Sequence, residues 1–252
     1  MTPSSRQAGQ QERRRVVVVC EARADQQTAC TLADRVLCEQ SSWMEPEILD
    51  SVRQWCGLHP DTSFIRWSSV RREARERSIR EHGRFAGEPG ALDARAARRA
   101  MLVIESDSQG VAGVLLIRDS DNHLDRIRGL KQARECGHWS FAVVIGVAHT
   151  KRECWLLAAF QPRTEEDKGR LAEMRSELGF DPCTASQELT ASEASAKRSA
   201  KRVLRALCGD DAGDSVGDLG ETPLDILRER GIQNGLSEYL AEVEEHLLPL
   251  FG

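Results

Sequence analysis

The residues with the clearest chemical potential are carboxylates at the ends of apolar runs. Val16–Cys20 is an unbroken β-branched stretch that leads directly into Glu21, with Asp25 four residues on. Gly113–Arg118 leads directly into Asp119, with Asp121 two residues on. Continuous apolar runs of this length read as strands buried on both faces. In an open α/β sheet, ligands bind beyond the carboxyl ends of the strands. An Asp-x-Asp pair in an extended tip can aim two carboxylates the same way. Glu21, Asp119 and Asp121 together make a hard oxygen site of the kind that suits Mg2+ or Mn2+. An acid after a strand also serves as a turn residue or a helix-terminal charge. No single cap, however, accounts for acids at both tips. A second acidic triplet, Glu105-Ser106-Asp107, competes for the Asp-x-Asp role.

These acids need a layered scaffold. Residues 1–15 read as a disordered polar arm. A helix is expected over Ala24–Glu39, where Ala29, Leu32, Ala33, Val36 and Leu37 recur at helical spacing. Pro46–Trp55 reads as helical, Phe64–Trp67 as a short strand, Arg71–Glu81 as an exposed helix, Gly83–Gly90 as a loop and Leu92–Arg99 as a helix. Met101–Glu105 and Val111–Arg118 read as strands joined by turn chemistry, followed by a helix over Ile127–Glu135 and a strand over Phe141–Val147. A helix begins at Glu153. The alternation from Val16 to Phe160 predicts an α/β fold: a mostly parallel sheet flanked by helices, with a helical insertion at about 40–100.

Beyond residue 160 the chain reads as a helical C-terminal extension. Helices are expected over Glu165–Leu178, stopped by Gly179, and over Ser192–Leu207. Gly209–Gly220 reads as an acidic loop. Thr222-Pro223-Leu224-Asp225 has the cap, N1 proline and N3 acid of a helix start, and that helix stops at Gly231. Leu236, Leu240, Val243 and Leu247 line one face of a last helix. No internal repeat is present.

The acidic constellation resembles the Toprim domain, the catalytic fold of topoisomerases, primases and OLD-type nucleases. Glu21 matches the glutamate after its first strand, and Asp119-Ser120-Asp121 matches its D-x-D motif. Glu21-Ala-Arg-Ala-Asp25 resembles the E-G-x-x-(D/E) opening of short stand-alone OLD-type Toprim proteins, with Ala22 where glycine is usual. Glu153-Cys-Trp-Leu-Leu-Ala158 resembles their E-x-W-L-L-A segment. Asn122-His123 stands where a glycine often follows D-x-D. The resemblance covers about 16–160, and its helix–strand–E-x-W-L-L-A order favours Asp119 and Asp121 over the Glu105 triplet.

That resemblance implies a divalent-metal-dependent nuclease. Glu21, Asp119 and Asp121 would be metal ligands, Glu21 alternatively a general base. Asp25 and Glu153 would be further ligands or orienting groups, Glu153 alternatively a helix-terminal charge. Lys151 and Arg152 would neutralise a scissile phosphate. The family resemblance further implies an effector of prokaryotic anti-phage defence that acts with an ABC-type ATPase in trans. The alternative is a non-catalytic Toprim-like adaptor or assembly subunit.

Composition bounds these readings. The 252 residues carry a net charge of −5, which does not favour a polyanionic partner. The charge is uneven: ten arginines face five acids between Arg66 and Arg99. Lys197, Arg198, Lys201, Arg202 and Arg205 share one face of the expected basic helix, a pattern that can track a phosphate backbone of DNA or RNA. The eight cysteines include no C-x-x-C pair and read as reduced thiols. No apolar run spans a bilayer and the N-terminus lacks a signal-peptide core, so a cytoplasmic protein is expected. The chain contains no P-loop, no G-x-S-x-G and no H-E-x-x-H. His123 and His149, near expected strand tips, are polar turn residues in this reading. Tyr239, the single tyrosine, lies away from the acids, against a topoisomerase-type nucleophile.

Overall fold

A computed structural model describes residues 13–80, 85, 87–107, 109–209 and 217–252. The elements follow as β1 (Arg14–Cys20), α1 (Arg23–Gln40), α2 (Leu49–Val52), β2 (Arg53–Cys56), β3 (Ile65–Arg66), α3 (Val70–Glu76), α4 (Ala91–Glu105), β4 (Gly113–Asp119), α5 (Asp125–Glu135) and β5 (Ala142–Ala148). Then come α6 (Arg152–Ala159), α7 (Glu165–Leu178), α8 (Ala200–Cys208), α9 (Gly217–Glu221), α10 (Leu224–Arg230) and α11 (Leu236–Glu242).

All strand pairings are parallel. The order is β2-β1-β4-β5, with β3 continuing the β2 side of β1. The side chains of β1 alternate between two cores, as the two-residue period of a strand requires. Val16, Val18 and Cys20 pack with α1, α6, α8, α10 and α11 on one face. Val17 and Val19 pack with α3, α4 and α5 on the other. β4 does the same, sending Leu115 and Ile117 to the first core and Val114 and Leu116 to the second. This is an α/β sheet covered on both faces, which is why its strands read as unbroken apolar runs.

The chain leaves β1 towards β2 through α1 on one face. It reaches β5 from β4 through α5 on the other. The winding direction therefore reverses between β1 and β4, which makes the crevice at their carboxyl ends the topological switch point.

Several expectations are corrected. Met101–Glu105 is not a strand but the last turns of α4, because Ala94, Ala97, Ala100, Met101 and Ile104 form one buried helical stripe. Pro46–Trp55 is helical only to Val52; Arg53–Cys56 forms β2, where pairing with β1 wins over helical continuation. Arg53 is held there by Asp34 at 2.7 Å and Asp50 at 2.6 Å. The 40–100 stretch thus supplies two strands to the sheet as well as helices. α3 is shorter than expected, and it buries Val70, Glu73 and Ala74 rather than being exposed all round. Arg14 and Arg15 belong to β1, whereas residues 1–12 of the expected arm lie outside the described residues. So do residues 83, 84 and 86 of the Gly83–Gly90 loop and residues 210–216 of the acidic loop, whose end forms α9.

The basic helix begins only at Ala200, capped by the Ser199 hydroxyl, so Lys197 and Arg198 precede it and do not share its face. Thr222 does not cap α10; its hydroxyl donates to Ala159 O at 2.6 Å, and Pro223 occupies the cap position. α7 and its Gly179 stop are as expected.

The C-terminal helices share the core of the sheet. Leu236, Tyr239, Leu240, Val243 and Leu247 are fully buried against it. Tyr239 stacks on Trp155 at 5.0 Å, and its hydroxyl donates to Ala29 O at 2.8 Å. A Cβ at Gly146 of β5 would lie 2.7 Å from the Tyr239 ring, so only glycine leaves space for this stack. Asn234, fully buried, accepts at its main-chain oxygen from His149 N and Trp155 Nε1, and its amide donates to Cys154 O and Ser186 Oγ. The C-terminal region in this way braces the turn between β5 and α6. Among the described residues no helix is long and apolar enough to cross a membrane.

Candidate active site

The sheet brings Glu21, Asp25 and Asp119 to its switch point. Glu21 follows β1, Asp25 sits in the first turn of α1, and Asp119 ends β4. The turn after β5 adds Lys151, Arg152 and Glu153 at the start of α6. The main-chain amide of Arg152 donates to Asp119 Oδ1 at 2.7 Å. The amide of Ala22 donates to Asp25 Oδ2 at 2.9 Å. Each acid therefore also closes the start of a helix.

The inner cluster is Asp119, Asp25 and Glu153, gathered about Arg152. The Arg152 guanidinium lies 3.4 Å from Asp25 and 3.8 Å from Glu153, and it donates to Thr28 Oγ1 at 3.3 Å. Arg152 is buried and committed to these carboxyls, so it does not face solvent as an external phosphate ligand. Two carboxyls share the guanidinium, and the third, Asp119, meets only the Arg152 main-chain amide. Burial, then the charges of Asp25 and Glu153, push the Asp119 carboxyl up to about 8. Burial also raises Asp25, against the pull of the Ala22 amide and Arg152.

Glu21 and Asp121 form an outer pair. They are half exposed and turned to arginines: Glu21 Oε1 lies 3.7 Å from Arg118 Nε, and Asp121 Oδ2 lies 3.0 Å from Arg126 Nη1. The two carboxylates of the D-x-D segment meet different partners, the Arg152 amide and the Arg126 guanidinium. The strand ends at Asp119, and Asp121 and Asn122 are both left-handed, with φ of 46° and 64°. Asp and Asn tolerate this conformation better than other non-glycine residues, and Asn122 secures the turn by donating to Thr190 O at 3.0 Å. Ser120 between the acids is buried, its hydroxyl 2.8 Å from His149 Nδ1. Burial lowers the His149 pKa. His123 is exposed on the same turn.

The competing triplet is elsewhere. Asp107 pairs with Arg15 at 3.3 Å, near the start of β1 and thus at the opposite end of the strand from Glu21. Tyr239 is buried in the core, as far from service as a nucleophile as the sequence implies.

Of the basic residues, Lys151 is half-buried at the start of α6. Lys201 and Arg205 are exposed one helical turn apart on α8. Arg202 is turned to Glu177 at 2.9 Å, and Arg198 lies over the Phe180 ring at 5.6 Å. Arg198 O accepts from Ala191 N, and Thr190 accepts from Asn122, so the segment before α8 is tied to the acidic rim.

Of three further residues at the site, two had no local signal in the sequence. Asp93 of α4 accepts from Arg118 Nη1 at 2.6 Å and lies 3.3 Å from Arg126 Nε. Trp67 packs under the Arg118 guanidinium at 5.0 Å. Arg118, directly before Asp119, is the one whose neighbourhood marked it. A cavity of about 370 Å3, lined by Glu21, Trp67, Ser68, Ala96 and Arg118, opens beside this network.

Among the described residues no three His, Cys, Asp or Glu side chains are arranged as a metal-ligand group. A Mg2+-type ion, however, needs only one or two carboxylates beside its waters and substrate oxygens. Asp119 with Asp25 or Glu153 supplies that number. The donor chemistry suits a hard divalent cation: burial first, and then the charges of Asp25 and Glu153, hold Asp119 up, and a cation would relieve the second of these.

No family model, curated protein or solved structure matches the chain. The functional reading therefore rests on the geometry of this site and on the motif resemblance.

Proposed function

We propose that this chain is a divalent-metal-dependent nuclease of the Toprim type, hydrolysing nucleic-acid phosphodiesters at the β1–β4 switch point. The observation that carries the reading is Asp119. It is a desolvated carboxyl at a strand tip in the crevice where α/β sheets bind ligands, crowded by two further acids, Asp25 and Glu153. A bound Mg2+ or Mn2+ would supply charge neutralisation of the phosphodiester and activation of water.

The chain's own residues divide the work. Asp119, with Asp25 or Glu153, would hold the ion. Arg152 fixes Asp25 and Glu153 against α1 and α6. Glu21, half exposed at the rim, accepts the proton of the attacking water. The water oxygen forms the new bond to phosphorus, the bridging P–O bond breaks, and the leaving oxygen takes a proton from solvent. Lys201 and Arg205, with Lys197 and Arg198 just before α8, are the surface on which a strand would lie. An ABC-type ATPase acting in trans and a role in anti-phage defence complete the proposal.

The test is direct. The purified chain is incubated with Mn2+ or Mg2+ and plasmid, single-stranded DNA or tRNA, alone and with an ABC-type ATPase encoded beside it. Metal-dependent cleavage that falls at least a hundredfold in Asp119→Asn is the expected result. Absence of cleavage under every condition refutes the reading.

One observation favours a second reading, a non-catalytic adaptor. Asp25 and Asp119 both close helix starts, which is a structural use of the same acids. Calorimetry separates the two: an adaptor binds no Mg2+.

A further inference from the structure

Glu21 and Asp121 are joined by a continuous chain of charges. Glu21 meets Arg118 at 3.7 Å, Arg118 meets Asp93 at 2.6 Å, Asp93 meets Arg126 at 3.3 Å, and Arg126 meets Asp121 at 3.0 Å. Asp93 sits at the centre, little exposed, in the first turn of α4. The outer acids are half exposed. The Nε atoms of both arginines are buried and have no hydrogen-bond acceptor among the described residues. Arg126 Nη1 also donates to the main-chain oxygen of Asp119, which fixes the guanidinium beside the inner cluster. The cavity of about 370 Å3 opens on Arg118, with Trp67 backing that guanidinium and Ser68 in its wall.

We propose that Arg118 and Arg126 are a phosphate-binding pair for a nucleic-acid strand, masked by Glu21 and Asp121 until those two acids turn to the water shell of a divalent cation held at Asp119. The idea deepens the nuclease reading and rests on it for the cation. The five groups carry three carboxylates against two guanidiniums, so as they stand they repel a phosphate. Once the outer acids are engaged elsewhere, only Asp93 remains, and the balance turns positive. Arginine is suited to the task because its planar fork matches two phosphate oxygens. Asp93 is a positioning residue: it holds the two guanidiniums at a shared spacing whether or not the outer acids are present. Binding of cation and strand is then mutually reinforcing, as linkage requires.

The experiment uses the full chain and a fluorescein-labelled phosphorothioate oligothymidylate, which resists cleavage, read by fluorescence anisotropy in EDTA and in Ca2+. In the unaltered protein Ca2+ tightens binding. Glu21→Gln/Asp121→Asn binds about tenfold tighter than the parent in EDTA, the size set by two partly exposed ion pairs, and gains little from Ca2+. Adding Arg118→Gln/Arg126→Gln to that variant removes the gain. Glu45→Gln/Glu47→Gln, which changes the net charge equally at exposed positions remote in sequence from the site, shows no such gain.

The proposal is overturned if the first variant binds no tighter in EDTA, if the arginine substitutions leave its gain intact, or if the control pair gains as much. Inorganic phosphate that displaces the oligonucleotide at equal phosphate concentration also overturns it, because the pair then takes the free anion. Thermal melts of each variant establish that it is folded. Failure of the nuclease reading is distinguishable: it is absence of cleavage with Mn2+, whereas the unmasking in EDTA needs no metal.

Discussion

Asp119 and Arg152 are linked directly through the main chain and indirectly through two other acids. The Arg152 main-chain amide donates to Asp119 Oδ1 at 2.7 Å, and the Arg152 guanidinium sits on Asp25 and Glu153, the two acids whose charges most raise Asp119. The last residue of β4 thereby closes α6, while the first residue of α6 tethers α1. An acidic centre and the joints of three elements occupy the same few ångströms.

Asp119→Asn keeps the acceptor for the Arg152 amide and removes the charge. In the folded protein the Asp119 carboxyl is held up to about 8, whereas in the unfolded chain it titrates near 3.9, about the usual aspartate value. Between those limits the unfolded state has lost a proton that the folded state keeps. Asp119 therefore costs stability as pH rises from about 4 to about 8. Thermal melts of Asp119→Asn should coincide with the parent below that window and lie several degrees higher above it. Parallel curves at all pH values would refute the assignment.

Arg152→Gln should destabilise the fold by roughly 1–3 kcal/mol near neutral pH, since it leaves Asp25 and Glu153 without their cation. The loss should shrink in acid, where Asp25, its carboxyl raised by burial, takes up a proton. Denaturant titrations at two pH values check it; an equal loss at both would mean that packing, not charge, is what Arg152 supplies.

Divalent cations should stabilise the protein, by about 2.7 kcal/mol at a concentration one hundred times the dissociation constant. At neutral pH binding should also release protons, because Asp119 must ionise to serve as a ligand. Titration calorimetry in two buffers of different ionisation enthalpy reads the proton count directly. Asp119→Asn should lose that release.

Lys201→Gln/Arg205→Gln should weaken oligonucleotide binding and flatten its salt dependence, by a slope of roughly 0.7–0.9 for each phosphate that is no longer neutralised. Both residues are exposed on α8. An unchanged slope would remove this helix from the binding surface.

Gly146→Val should cost about 1–3 kcal/mol by overpacking. Its side chain would meet the Tyr239 and Trp155 rings and the Ile117 side chain. Denaturant melts measure it; a stability within error of the parent would mean that the α11 packing shifts freely.

The sequence by itself determined the buried strands and the acids at their ends. Four or five consecutive β-branched or aliphatic residues have few uses other than a strand covered on both faces, so β1, β4 and β5, and hence Glu21 and Asp119, were legible. Helical spacing likewise marked α1 and the buried stripe of α11, and Gly179 marked the end of α7. Short elements were not legible. Arg53–Cys56 is a strand because β1, far back in the chain, pairs with it, and Met101–Glu105 is a helix because its stripe continues from Ala94. Only the tertiary structure decided which acids meet. Asp25 and Glu153 join Asp119 through Arg152, whereas Glu21 and Asp121 turn outward to Arg118 and Arg126, linked by Asp93. Local sequence dictates where a carboxylate leaves the backbone. The charges it meets come from strands and helices distant in the chain, and only folding brings those together.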